Sequence, residues 1–91
     1  MAGRVERDEV RRRVVAEAVA LLEVEPAQLA DDAAFDGLGV DSLALVEYAL
    51  ALEGVFDVEI PEEEVAELHT VGELVDALVE KTAVRSAGLD P

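Results

Sequence analysis

Over three long stretches of this chain, apolar residues recur three and four positions apart, a spacing that only an α-helix turns into one continuous face. From about Glu6 to Leu22 the stripe is Val10, Val14, Val15, Ala18, Val19, Leu21 and Leu22. From about Ser42 to Gly54 it is Leu45, Tyr48, Ala49 and Leu52, carried on by Phe56. After Thr70 it is Val71, Leu74, Val75, Leu78 and Val79. The aromatic residues are only Phe35, Tyr48 and Phe56, so the core must be built from Leu, Val, Ile and Ala, which suits packed helices better than stacked sheets. A chain of 91 residues has room for one such core. The expected fold is all-α, a four-helix bundle with three longer helices and a short third one.

The punctuation between the stripes sets the boundaries. Glu25-Pro26 ends the first helix, and the segment from Pro26 to Val40 has no period, so it reads as a long loop pinned to the core by Leu29, Phe35 and Leu38. Asp41 or Ser42 caps the second helix and Gly54 stands near its end. Pro61 fits a first helical position, and Glu62, Glu63 and Glu64 suit the positive end of a short helix that closes near Leu68. Thr70-Val71-Gly72-Glu73 matches a capping box, with His69 just before it. The domain spans residues 6–81, between a flexible N-terminus (1–5) and a flexible tail (82–91, "TAVRSAGLDP").

The second helix carries a further stripe. Leu43, Val46 and Leu50 lie on roughly the opposite side from Leu45, Tyr48 and Leu52 at 100° per residue. A small domain cannot easily bury both. Either this helix is central to the bundle, or the second stripe is an exposed strip flanked by Glu47 and Glu53, as on a partner-binding face; the second alternative is preferred.

Charge and residue inventory exclude several kinds of chemistry. The net charge is −15, from 22 acidic and 7 basic side chains, and no Lys or Arg lies between Val14 and Glu80. All the acids except Glu6, Asp8, Glu9 and Asp90 fall in that middle stretch. Such a field repels nucleic acid and anionic membrane surfaces and steers basic protein surfaces into encounter. With no cysteine there is no disulfide, thiolate ligand or thiol nucleophile, and His69 is the sole histidine for any catalytic triad. Asp31-Asp32 and the Glu62 to Glu64 run lack the alternating spacing of a calcium loop, and the glycines form no phosphate-cradling motif. No catalytic or metal site is expected. The charged N-terminus is unlike a signal peptide and no apolar run spans a bilayer, so a cytoplasmic protein is expected.

What remains is the motif "GVDSL", Gly39 to Leu43. A serine at a helix start is ordinarily a cap. Yet Gly39 allows a tight approach that leaves the Ser42 hydroxyl uncovered, a helix N-terminus favours an attached phosphate, and the outer apolar strip begins one residue later. Those are the conditions for a phosphorylated or phosphodiester-linked serine.

At this point the chain resembles the acyl carrier proteins. The resemblance rests on "LGVDSLALVEYALALE" (Leu38 to Glu53), "FDVEIPEEE" (Phe56 to Glu64) and "HTVGELVDALVE" (His69 to Glu80), three blocks in order over most of the chain. It implies a non-catalytic carrier, a monomer, in which a phosphopantetheinyl transferase links 4′-phosphopantetheine from coenzyme A to Ser42. Its thiol would hold acyl intermediates of fatty-acid, polyketide or other specialised biosynthesis as thioesters. Asp41 and Leu43 would flank the attachment site. Val46, Leu50 and the acids Glu47, Glu53, Glu62 and Glu63 would face basic patches on an acyltransferase, a ketosynthase or other pathway enzymes. Leu45, Tyr48, Ala49, Leu52, Ile60 and Leu68 would line a space for the acyl chain. The sequence departs from the family pattern at Gly37, where an acid often stands, in a loop one residue short between Phe35 and Leu38, and at Ala44 and Leu45, where many fatty-acid carriers are polar. Two other readings stand beside it: a peptidyl or aminoacyl carrier, whose motif is more often G-G-x-S, and an acidic interaction module in which Ser42 is only a cap.

Overall fold

The structure, a computed structural model, describes residues 6–88, with side chains described through residue 83. Four α-helices follow in order: α1 (Arg7–Leu22), α2 (Ser42–Phe56), α3 (Glu62–Val65) and α4 (Val71–Gly88). Among the described residues there is no strand, only an isolated bridge between Ala34 and Thr70. The all-α bundle with a short third helix is therefore the observed fold. No helix of the described residues is long and apolar enough to cross a membrane. Residues 1–5 and 89–91, which hold the N-terminus and the tip of the tail, lie outside the described residues.

Several boundaries differ from those read in the sequence. The α1–α2 connection contains two 3₁₀ turns, Pro26–Gln28 and Asp36–Leu38, and Glu25 with Gln28 forms a capping box around the first. Helix α2 runs through Gly54 to Phe56, because Gly54 lies on an open surface and partly buried Phe56 holds the last turn against the core. Asp57, in the left-handed region at φ 57°, ends it. Pro61 is the cap of α3 rather than its first residue, and α3 proper is one turn, continued only by turn hydrogen bonds to Leu68. Helix α4 continues past Lys81 to Gly88, since the tail holds no proline before Pro91; within it Thr82 Oγ1 donates back to Leu78 O at 2.8 Å. The Thr70 capping box is present: Glu73 N–H donates to Thr70 Oγ1, and Glu73 Oε1 accepts from the N–H groups of His69 and Thr70.

One core joins the four helices. Val10, Val14 and Ala18 of α1, Tyr48, Ala49 and Leu52 of α2, Val65 of α3, and Val71, Leu74, Val75 and Leu78 of α4 are buried in it. From the connections, Val24, Leu29, Phe35 and Ile60 are buried beside them, and Leu38 packs at the edge. Val24 belongs to no helical stripe and was not legible as core. Val19, on the outer side of α1, and Leu21, in its last turn, are exposed. Tyr48 is the largest fully buried side chain: its hydroxyl donates to Val14 O at 2.7 Å, and its ring meets Phe35 edge-on at 6.5 Å between centroids.

The long connection is fastened from two sides. Arg11 donates to Leu29 O at 2.8 Å and to Asp31 Oδ1, and Arg7 pairs with both Asp31 and Asp76. The guanidinium of Arg11, with that of Arg7, holds the Asp31 carboxyl below its ordinary value. On the α4 side Gly72 N–H donates to Asp31 O at 2.8 Å, Phe35 N–H to His69 O, and Val71 N–H to Ala33 O. This closeness requires glycine: a Cβ at position 72 would stand 2.9 Å from Asp31 O.

Two outcomes follow. In Gly72→Ala, overpacking against backbone, about 1–3 kcal/mol, should outweigh the helix propensity gained, about 1 kcal/mol, and urea unfolding should show a net loss of stability; an equal or higher midpoint would mean that the loop yields freely. Burial, and then the charge of Glu17, push the Tyr48 hydroxyl above its ordinary range, so the unfolded chain loses this proton first. Its contribution is intact below the unfolded value of about 10 and is lost as the pH rises towards the folded value. Because Tyr48 is the sole tyrosine and there is no tryptophan, phenolate absorbance reports it alone and should appear only together with loss of helical circular dichroism. Ionisation near pH 10 with the helices intact would contradict the buried hydrogen bond.

Candidate functional site

Ser42 is the first residue of α2, and what precedes it decides its role. Gly39 takes the left-handed conformation, φ 74°, with its N–H donating to Asp36 O. This turns the chain into an extended Asp41, whose Oδ1 accepts from Ala44 N–H at 2.8 Å and whose carbonyl accepts from Leu45 N–H. Asp41 is thus the cap, which settles the choice between the two residues left open by the sequence. Ser42 is exposed, and its hydroxyl has no hydrogen-bond partner among the described residues.

That arrangement fits an attached phosphate. The first N–H groups of a helix have no intrahelical acceptor, and they place partial positive charge near the Ser42 oxygen. A hydroxyl free of capping can take a substituent without unmaking the helix start.

Helix α2 then divides its apolar residues between two sides. Tyr48, Ala49 and Leu52 are buried, whereas Leu43 is 68 % and Leu50 59 % exposed, with Val46 half-buried between them. Of the two alternatives for the second stripe, the exposed strip is the one observed. Glu47 on the same helix and Glu62 and Glu63 at the head of α3 are exposed. Glu53 is different: it is only partly exposed, and its Oε2 accepts from Ile60 N–H. Its carboxylate fastens the α2–α3 connection to the helix rather than standing free beside the strip, a role that spacing alone could not reveal because the acceptor partner is a backbone group seven residues away. Of the residues expected around an acyl chain, Tyr48, Ala49, Leu52 and Ile60 are buried in the common core, while Leu45 and Leu68 pack partly exposed at its edge. Among the described residues no group of His, Asp and Glu could hold a metal ion.

A helical domain that presents an uncommitted serine at a helix head, beside an exposed apolar strip and the exposed acids Glu47, Glu62 and Glu63, has the layout of a carrier. Comparison with known proteins names the kind of carrier. The family described as "Phosphopantetheine attachment site" matches residues 12–78. An acyl carrier protein of Caulobacter vibrioides is 43 % identical over 63 residues, 68 % of this chain and 81 % of that protein. One from Amoebophilus asiaticus is 40 % identical over 76 residues, 82 % of this chain and 95 % of the other. Among solved structures, the 3,7-dioxo-octyl actinorhodin acyl carrier protein of Streptomyces coelicolor is similar with a TM-score of 0.68 and 32 % identity, covering 93 % of this chain and 99 % of that one. The chain belongs to the acyl carrier proteins, which serve as carriers through covalently attached 4′-phosphopantetheine.

The division of labour at the helix head can be checked by substitution. Asp41→Ala should cost about 1 kcal/mol of stability, whereas Ser42→Ala should leave the urea midpoint nearly unchanged. A loss in Ser42→Ala as large as that in Asp41→Ala would return the serine to a capping role.

Proposed function

We propose that Ser42 Oγ is the atom that carries the prosthetic group. The observation that carries this reading is the freedom of that hydroxyl: it is exposed at the head of α2 while Asp41 does the capping. A phosphopantetheinyl transferase would form the bond between Ser42 Oγ and the pantetheine phosphate of coenzyme A, releasing the adenosine bisphosphate. When bound, the group supplies the thiol that this cysteine-free chain lacks, so that no side-chain thiol competes for the thioester.

The chain's own residues would do the rest. Leu43, Val46 and Leu50 form the apolar part of the surface read by partner enzymes, and Glu47, Glu62 and Glu63 its acidic border, matched to basic patches on the transferase and on acyltransferases and ketosynthases of fatty-acid or polyketide type. Asp41 sets the helix start on which the serine is displayed. Leu45 and Leu68, at the edge of the core, would be the first residues to part for an acyl chain, with Tyr48, Ala49, Leu52 and Ile60 deeper along the same path. The protein would act as a monomer in the cytoplasm.

Intact mass spectrometry after incubation with coenzyme A and a broad-specificity phosphopantetheinyl transferase tests the assignment. One added phosphopantetheine is expected on the wild type and none on Ser42→Ala, with both chains folded by circular dichroism. No addition to the folded wild type, or addition to the variant, would overturn it.

A further inference from the structure

The interior that an acyl chain would have to enter is not uniformly yielding. Leu52, Val75 and Leu78 are fully buried, but such aliphatic side chains change rotamer without breaking a hydrogen bond. Tyr48 is held differently. It follows Leu45 by one turn on the inner stripe of α2, is 1 % exposed, and reaches across to α1, where its hydroxyl donates to Val14 O at 2.7 Å. Phe35 meets the ring edge-on, at 62° between planes, and the N–H of Phe35 is itself tied to His69 O just before α4.

Moving this ring aside therefore costs more than moving a leucine. The hydroxyl would leave its acceptor in a core where, among the described residues, no polar or charged residue is buried, and a saturated chain coming in offers no replacement. The obstacle also lies early. Leu45 and Leu68 stand partly exposed at the edge of the core, and Tyr48 stands one turn behind Leu45, between that edge and the middle of α1.

We propose that Tyr48 is a stop that keeps long acyl chains out of the bundle, so that cargo beyond its first few carbons stays outside the core. The cargo class that suits such a carrier is short or oxygen-bearing acyl groups, whose carbonyls and hydroxyls remain in water, rather than long saturated chains, whose methylenes gain from burial. The stop rests on Ser42 bearing the arm and on the path past Leu45 and Leu68 proposed above. Tyr48 is then the end of that path rather than part of its wall, and Leu52, one turn further on, is reached only if the ring gives way.

The test is cleavage of the thioester by hydroxylamine in the loaded carrier. Wild type, Tyr48→Leu and Tyr48→Phe are charged with four-, eight- and twelve-carbon saturated acyl-phosphopantetheine from the corresponding acyl-coenzyme A; loading is checked by intact mass and folding by circular dichroism. A chain that spends nine-tenths of its time inside the core is cleaved about tenfold more slowly than one held outside. In wild type the three thioesters should be cleaved at rates within about twofold of one another. Tyr48→Leu leaves an apolar void that hydrocarbon fills, so its eight- and twelve-carbon thioesters should be cleaved about tenfold more slowly than those of wild type. Tyr48→Phe keeps the ring but releases its tip, so its protection should lie between the two, and it carries the comparison if Tyr48→Leu does not fold. Protection of the longer chains by about tenfold in wild type, or no added protection in any variant that folds, would overturn the stop while leaving Ser42 as the attachment site. A folded wild type that accepts no acyl-phosphopantetheine would overturn both.

Discussion

The hydrogen bond from Tyr48 to the carbonyl of Val14 holds the arrangement together at its centre. Tyr48 is the one large polar-tipped side chain in an otherwise apolar interior, and a buried hydroxyl must find an acceptor. The acceptor is a carbonyl in the middle of α1, so the rotation of α2 about its own axis is fixed relative to α1. Once that rotation is fixed, Leu43 and Leu50 can only point outwards, and the head of the helix can only present Ser42 to solvent. The exposed apolar strip is thus a consequence of how the core is keyed.

Electrostatics act on a larger scale. A chain of net charge −15 repels itself, and two of its cations, Arg7 and Arg11, hold the long connection in place. Arg7 and Arg11 bring together α1, Asp31 and Asp76 of α4, and these exposed pairs matter as a network more than singly. The remaining surface, from the end of α1 through α3, carries acids that no lysine or arginine of the middle stretch neutralises. The same charge that burdens the fold gives basic partners a direction of approach.

Most of the fold was legible because helix periodicity is local. The stripe of α4, its capping box at Thr70 and the glutamates heading α3 each depend on residues within a turn or two, and each is observed. The two-faced character of α2 was also legible, since both stripes lie in fifteen consecutive residues. Features decided by distant chain were not. Val24 is buried by helices it does not belong to, and α4 runs on through Thr82, Val84, Ser86 and Gly88, which carry no helix signal of their own. At the site, the motif marked Ser42 but could not tell it from Asp41 as the cap, because either side chain can reach the same N–H. Glu53 looked like another surface acid until the path of the α2–α3 connection placed Ile60 N–H against it.

The inner side of α2 packs against α1, which precedes it in the chain, and against α3, which follows it. A fifteen-residue helix is marginal in water without tertiary support. During synthesis α1 is already made when α2 leaves the ribosome but α3 is not, so the helix head is steadied on both sides only once residues 62–65 have followed. An enzyme that reads the folded helix head has its target only once the bundle has closed.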